Sequence, residues 1–575
     1  MMPTFLELSK AAKRVAPDGT PYRIAVLGDS ATQHLATAIK GYGLIAGLLI
    51  DVFDAEYGQM VPLIIQQESE LYQSKPDTIV IYICVEKLYQ KWHQIEQKER
   101  SCFAEYQYEY IKNIWDTISI NTKSRIIQFT FAEYDDCVFG HYGCRVTDSF
   151  LYQTRKLNQR LVEGGASQGN VFFLDLSAIQ GKVGREAFHD PKLFYMAKMP
   201  IALEALPYVA KGVVDIIQAI RGIIRKCVIL DLDNTLWGGI IGEDGLANIQ
   251  IGDLGIGAAY MAFQYWLKEL KYRGILLAVV SKNNEETAKE VFEKHPDMVL
   301  YLDDFVAFNA NWDDKAKNIR GIQQQLNIGM DSVVFIDDSQ FERELVRSMV
   351  PEITVPEMPE DPALYISFLQ SLNLFEMASY SDQDTNRTEQ YIADSKRRAI
   401  EAQYANFDDY LKSLEMQAEV KSLDEYHIPR IAQLTQRSNQ FNLRTVRYTE
   451  QGLKEVSNDE NRITIYFTLR DKFADHGLVC VVILDKRKDM LFIDTLLMSC
   501  RVLKRGLEEF VFNTIFELAR NGGYKRVIGE YIITPKNAIV SDLYDRIGFV
   551  AQENGLYYAE VGQYLDKKCF ITRIE

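Results

Sequence analysis

The sequence predicts an α/β protein of three tandem domains, the last one preceded by a helical linker. Three observations carry this. Across residues 226–360, apolar β-branched runs alternate with amphipathic stretches, and each run ends in a polar motif, the pattern of parallel strands buried on both faces. Across residues 1–225, four apolar runs recur at spacings that fit intervening helices. Across residues 416–575 the apolar runs come at hairpin spacing, which marks an α+β domain. Residues 361–415, polar around residues 380–387 and then charged in helical rhythm, read as the linker.

The first domain opens with a strand at residues 22–27, then Gly28-Asp29-Ser30 and an amphipathic helix through Lys40. Residues 78–84, 125–131 and 171–176 repeat the strand pattern. Gly-Asp-Ser after a first strand resembles the opening motif of the SGNH hydrolases, a flavodoxin-type α/β fold, and by that resemblance Ser30 is the nucleophile. The rest of the family pattern departs from it. Val85-Glu86-Lys87 stands where a GxND segment is expected, and Phe188-His189-Asp190-Pro191 is the nearest approach to DxxH. A serine without a base and oxyanion donors is a weak nucleophile. The expectation is a noncatalytic SGNH-like domain that shapes a site or docks a partner. An esterase or acyltransferase using His189 in a rearranged triad is the alternative.

The second domain carries the chemistry. Residues 227–230 form an apolar strand that delivers Asp231 and Asp233 to its carboxyl end, where open α/β sheets bind ligands. Two carboxylates one residue apart suit a hard cation such as Mg²⁺. A second strand, residues 274–280, ends at Ser281-Lys282-Asn283-Asn284, where a hydroxyl beside a helix start can donate to a phosphoryl oxygen. Lys315 follows in Asn311-Trp312-Asp313-Asp314-Lys315, with Lys317 as a nearby competitor. A third strand, residues 332–336, ends in Asp337-Asp338.

Nucleophile, hydroxyl, lysine and acidic pair in this order resemble the four motifs of the haloacid dehalogenase (HAD) superfamily, whose fold is a Rossmann-like parallel sheet. The resemblance implies that Asp231 accepts a phosphoryl group and that Asp233 protonates the leaving oxygen and then activates water. It implies that Asn234, Ser281, Lys282, Asn283 and Lys315 bind phosphate. It further implies that Mg²⁺ is held by Asp231, Asp337, Asp338 and the backbone carbonyl of Asp233. Residues 231–245 (DLDNTLWGGIIGEDG), with SKNN, NWDDK and FIDDSQFERELVR, are similar to the FkbH-like branch of that superfamily. That branch handles a phosphorylated three-carbon unit. Its polyketide-associated members load a glyceryl group onto a carrier-protein thiol, and others accompany surface-polysaccharide genes.

About 50 residues separate Asp231 from Ser281, and about 35 separate Ser281 from Lys315. The first interval holds a glycine-punctuated hairpin flap over residues 237–251 and a helix over residues 254–272. Neither interval has room for a separate cap domain. Such a site is open to a macromolecular substrate or closed by neighbouring domains of the chain.

In the last domain, residues 462–469, 477–484 and 491–498 read as strands, 503–521 as a helix and 527–533 as another strand. This resembles a GNAT acyltransferase, in which a [QR]xxGx[GA] turn cradles the pyrophosphate of coenzyme A. Here the turn is Arg501-Val-Leu-Lys504-Arg505-Gly506, with Lys504 where the first glycine belongs. Cys500 sits in this turn beside Arg501 and Arg505, where a helix start and cations favour a thiolate able to receive an acyl group. His476 is a candidate base for that chemistry, and a turn histidine otherwise.

Composition bounds the partners. A net charge of −16 excludes general binding to nucleic acid or anionic membranes. No apolar run nears the roughly 20 residues that span a bilayer. Eight scattered cysteines with no CxxC spacing indicate reduced thiols, and the start lacks signal-peptide character, so the expected location is the cytoplasm. The expected function is a Mg²⁺-dependent phosphatase acting on a phosphorylated small molecule and coupled to acyl transfer onto a carrier protein. The alternative is a non-enzymatic scaffold or carrier-docking protein of a biosynthetic complex.

Overall fold

The computed structural model describes residues 2–14, 19–166, 168–380, 397, 404, 406–499, 502–552 and 555–574. They form two compact units, Met1–Gln218 with Thr449–Gly452, and Ala219–Tyr448 with Leu453–Glu575.

The first unit is built on a parallel sheet of β1 (Tyr22–Gly28), β2 (Ile50–Asp54), β3 (Thr78–Tyr82), β4 (Arg125–Phe129) and β5 (Val171–Leu174). Their order is β2-β1-β3-β4-β5. This is the flavodoxin-type order, with its switch point between β1 and β3. Every residue of β3 is buried, because helices cover both faces of the sheet. The helix expected to end at Lys40 runs Gln33–Ile45.

The second unit contains two sheets. The first joins β6 (Cys227–Leu230), β7 (Leu276–Ser281), β8 (Phe305–Ala310) and β9 (Val333–Ile336) in parallel, in the order β8-β7-β6-β9. Side chains alternate between two cores. Val228 and Leu230 pack on one face with Phe263, Leu267 and Phe292, while Cys227 and Ile229 pack on the other with Ile319, Ile322 and Val346. The expected hairpin flap is instead a loop. One bridge, Gly238 to Gln250, closes it, and a helical turn at Ile241–Asp244 interrupts it. The Asp244 carboxylate accepts the Ile240 amide at 2.8 Å and so favours the turn over a strand. The following helix starts at Gly257. The segment read as a linker begins within this core: Tyr365 and Leu369 of the helix Tyr365–Leu372, and then Phe375, are buried against it.

The second sheet comprises β10 (Met416–Ser422), β11 (Arg462–Arg470), β12 (Asp475–Arg487), β13 (Met490–Met498), β14 (Arg526–Glu530), β15 (Val550–Ala551), β16 (Leu556–Glu560) and β17 (Ile571–Ile574). It runs β15-β16-β14-β13-β12-β11-β10-β17. Neighbours from β10 to β13 are antiparallel, whereas β13 and β14 are parallel and pair only at residues 490–492 with 526–528. Beyond that short register the two strands part. Such a splay in an α+β sheet is the GNAT-like architecture expected from the sequence.

A cleft of about 450 Å³ lies at the open end of β13, lined by Asn439, Met498 and Ser499 on one side and Lys226, Leu276 and Ser332 on the other. The last three residues stand at the amino ends of β6, β7 and β9. Asn439 Nδ2 donates to the Gly222 carbonyl at 3.0 Å, and Lys536 pairs with Asp331. The C-terminal domain therefore meets the amino end of the parallel sheet, opposite the end that carries Asp231. Among the described residues, no helix is long and apolar enough to cross a membrane.

Candidate active site

Three strands of the parallel sheet bring their carboxyl ends to one point. Asp231 follows β6 directly, and its amide donates to the Ile336 carbonyl at 3.0 Å, which fixes it beside the end of β9. Lys315 opens the helix Lys315–Leu326, whose first turn is capped by the Asp314 carboxylate on the amides of Ala316 and Lys317. That cap aims Lys315 inward. Its Nζ lies 2.9 Å from Asp231 Oδ2 and 2.6 Å from Asp337 Oδ2, and all three side chains are almost wholly buried. Lys317 instead reaches solvent and pairs with Asp313 at 2.9 Å, so Lys315 is the lysine of the site.

Carboxylate oxygens of Asp231, Asp337 and Asp338 lie within 4.8 Å of one another. Asp231 Oδ1 is buried and accepts no hydrogen bond among the described residues. Oxygen-only donors around an unpartnered buried carboxylate oxygen fit a hard divalent cation. Burial and the charge of Asp231 push Asp337 up to about 7, although Lys315 opposes this. Asp338 reaches solvent, yet desolvation by its neighbours and the Asp231 charge raise it to about 6. Burial works against the Lys315 ammonium, but the two carboxylates outweigh it and hold the group above its ordinary value.

Asp233 faces a different set of partners. Its Oδ1 accepts from Trp237 Nε1 at 2.9 Å and the Ile241 amide at 3.1 Å, and its Oδ2 accepts from Asn283 Nδ2 at 2.8 Å. Burial outweighs these donors and raises its pKa. A carboxyl group that leans towards its protonated form is suited to giving a proton to a leaving oxygen. Asn234 adopts φ +54°, a left-handed conformation that Asn tolerates well, and its Oδ1 accepts the Gly239 amide at 2.9 Å. The side chain thus shapes the loop. Ser281 is buried at the end of β7, and its Oγ accepts from Asn283 Nδ2 at 3.3 Å. Lys282 is held by Glu342 at 2.6 Å rather than by the Asp231 group.

Three contributors escaped the sequence reading. Arg343 Nη1 donates to the carbonyls of Asp337 at 2.9 Å and Asp338 at 2.6 Å, which pins the acidic pair, and Nη2 reaches Glu357 at 3.0 Å. Trp237 orients Asp233. The Tyr365 hydroxyl donates to the Asn234 carbonyl at 3.0 Å. A charged residue on the inner face of an otherwise amphipathic helix was the available signal for Arg343.

Comparisons with known proteins bear on this arrangement. Residues 23–218 match the family model described as FkbH, N-terminal domain. The N-terminal part of the protein BF1531 from Bacteroides fragilis, containing a phosphatase domain complexed with Mg, is 44% identical, with a TM-score of 0.62, and the match covers 66% of this chain and 100% of that one. The chain belongs to the FkbH-like proteins of the HAD superfamily. Ribosomal-protein-S18-alanine N-acetyltransferase from Escherichia coli matches 25% of this FkbH-like chain and 94% of its own length, at 14% identity and a TM-score of 0.20. Among curated proteins no relative matches.

In the C-terminal domain of this FkbH-like protein, Cys500 and Arg501 lie outside the described residues. The helix Leu507–Asn521 that follows starts with its own anion in place: Glu508, buried, accepts the Lys504 amide at 3.2 Å. Lys504 has φ +61°, the left-handed region where the glycine of the GNAT pattern would be unstrained. His476 is fully buried with Asp471 at 3.2 Å, Arg397 at 2.9 Å and Arg505 at 3.1 Å from its Nε2. Burial and the two guanidinium groups hold it below the ordinary imidazole range. In the N-terminal domain, Ser30 is buried and its Oγ makes no hydrogen bond among the described residues, so no base is engaged with it.

Proposed function

We propose that this chain is a Mg²⁺-dependent phosphatase that works through an aspartyl-phosphate on Asp231. Its phosphate release is coupled to the passage of a three-carbon, glyceryl-type acyl group to a carrier-protein thiol. The supporting observation is the Lys315 ammonium held between Asp231 and Asp337, beside three carboxylates whose oxygens converge within 4.8 Å. Asp231, Asp337 and Asp338 would hold the metal, which supplies charge neutralisation for the phosphoryl oxygens and the nucleophile.

Asp231 Oδ attacks phosphorus while the P–O bond to the leaving group breaks, and Asp233 gives its proton to the departing oxygen. Asp233, now a carboxylate held by Trp237, the Ile241 amide and Asn283, takes a proton from water. That water attacks phosphorus and releases phosphate from Asp231. Lys315 screens the carboxylate it touches, so that an anionic phosphoryl group can approach. Ser281 Oγ and Asn283 stand at the same strand end, where equatorial phosphoryl oxygens need donors.

The glyceryl and carrier part rests on family membership. In this reading Asp231 hydrolyses the phosphate ester of the three-carbon unit, while the Cys500 thiolate attacks the carbonyl carbon of its acyl phosphate, whose phosphate leaves as the thioester forms. A cytoplasmic location accords with it. The N-terminal domain, in the same reading, is noncatalytic at Ser30. The test is incubation with 1,3-bisphosphoglycerate and Mg²⁺, followed by phosphate assay and intact-mass spectrometry. Wild type should release phosphate and carry a glyceryl adduct. Cys500→Ala should still release phosphate from p-nitrophenyl phosphate but lose the adduct. A variant that keeps the adduct removes Cys500 from the scheme, and absence of Mg²⁺-dependent phosphate release refutes the whole reading.

A further inference from the structure

The N-terminal domain contains a cavity of about 390 Å³ at the carboxyl ends of β3, β4 and β5, the end at which parallel sheets bind ligands. Its walls are mainly apolar and aromatic: Tyr82, Ala132, Tyr134, Leu176, Phe188 and Pro200. Among the polar residues of the wall, Glu86 and His189 form a pair of their own. His189 Nδ1 lies 2.8 Å from Glu86 Oε1 and 3.0 Å from the Pro200 carbonyl. Both partners are acceptors, so Nδ1 carries the proton and Nε2 is the nitrogen left for a ligand. Glu86 is nine-tenths buried, and its second oxygen, Oε2, has no hydrogen-bond partner among the described residues. A buried carboxylate oxygen without a donor costs free energy that a bound ligand can recover.

The chemistry of the lining selects the ligand. Glu86 excludes a carboxylate or phosphate. Of the other charged groups on the wall, Glu133 pairs with Arg155 and with Arg185 at 2.6 Å, Asp135 accepts the Cys137 amide at 2.9 Å, and Glu186 is exposed to solvent. The Glu86 hydrogen bond raises His189 above the ordinary imidazole range, which disfavours an ammonium beside it. A hydroxyl meets both requirements, for it can donate to Glu86 Oε2 and bond to His189 Nε2 at once. Aromatic walls favour a planar ring. We propose that this cavity is a binding site for a small phenol or similarly apolar alcohol, with Glu86 and His189 as its polar anchor. Ser30 is not among the residues lining the cavity, so the serine of the Gly-Asp-Ser motif takes no part in this site, although His189 is the histidine of the alternative triad. It is also independent of the phosphatase reading.

Calorimetric titration of the full-length protein tests the proposal, with p-cresol as the probe and toluene and p-toluate as shape controls. Saturable binding of p-cresol is expected, with toluene about tenfold weaker because one hydrogen bond to a charged group is lost. The anionic p-toluate should not bind. Glu86→Leu should bring the p-cresol and toluene affinities together, and His189→Phe should weaken p-cresol alone. Circular dichroism reports whether each variant is folded; if one is not, the three-probe comparison on wild type decides by itself. The proposal is overturned if p-cresol fails to bind, if toluene binds equally well, or if a folded Glu86→Leu variant keeps the preference.

Discussion

Asn283, two residues beyond the end of one strand, donates its side-chain amide at 2.8 Å to Asp233, which follows the neighbouring strand. A residue of the hydroxyl motif thereby tunes the second carboxylate of the first motif. The bond favours the carboxylate and partly offsets the burial that raises Asp233.

Asn283→Ala should lower kcat and carry the basic limb of the pH–rate profile upward. Losing a donor to a carboxylate makes the proton harder to remove, by the worth of one charge-assisted bond. Steady-state hydrolysis of p-nitrophenyl phosphate across pH checks both. An unshifted limb would mean that another group sets it.

Asp231→Asn should reduce phosphate release by a factor of about 10³ or more while the fold persists. The substitution conserves volume and leaves Lys315 its contact with Asp337. Activity above a tenth of wild type would point to a different nucleophile.

Without a bound cation, the stability of the phosphatase domain should fall as pH rises from about 5 to 7.5. Asp337 and Asp338, raised to about 7 and about 6, bind more protons in the folded state than in the unfolded state across that window. The slope of unfolding free energy with pH is therefore negative. Mg²⁺ competes with those protons, so its thermal stabilisation should be larger at pH 7.5 than at pH 5. Scanning fluorimetry with EDTA or Mg²⁺ at the two pH values measures this. Equal metal shifts at both would exclude the carboxylate group as the binding site.

Arg343→Met should weaken Mg²⁺ stabilisation and cost about 2–3 kcal/mol, because the buried Asp337 carbonyl, the half-buried Asp338 carbonyl and Glu357 lose their shared donor. Arg343→Lys should recover part of both. Chemical denaturation and metal titration report the two effects separately.

What the sequence disclosed follows from how each element is buried. Strands β6, β7 and β9 were legible because both faces are covered, which leaves uninterrupted apolar runs such as Val333–Ile336. Strand β2, Ile50–Asp54, and strand β17, Ile571–Ile574, escaped notice because charged residues interrupt short, half-exposed segments. Catalytic residue types could be placed by motif order, since each sits at a strand end or helix start. Their contacts could not. The Arg343 bonds to the Asp337 and Asp338 carbonyls, and the Tyr365 bond to the Asn234 carbonyl, join elements whose approach no local pattern encodes. The expected flap failed for a local reason, the Asp244 side chain turning the chain at Ile240.

The meeting of the C-terminal domain with the amino end of the parallel sheet sets a travel distance. Lys226, Leu276 and Ser332 line the shared cleft, while Asp231, Ser281 and Asp337 stand at the far ends of the same strands. A six-residue strand such as β7 is roughly 20 Å long at about 3.3 Å per residue. No side chain bridges that length, so a group leaving the neighbourhood of Asp231 must ride on a tether or diffuse. In the proposed acyl transfer, an activated acyl species that diffused freely would be exposed to hydrolysis throughout the journey. Delivery to the C-terminal domain would then be a matter of reach, and a long flexible arm swinging between the two ends of the sheet is the economical way to provide it.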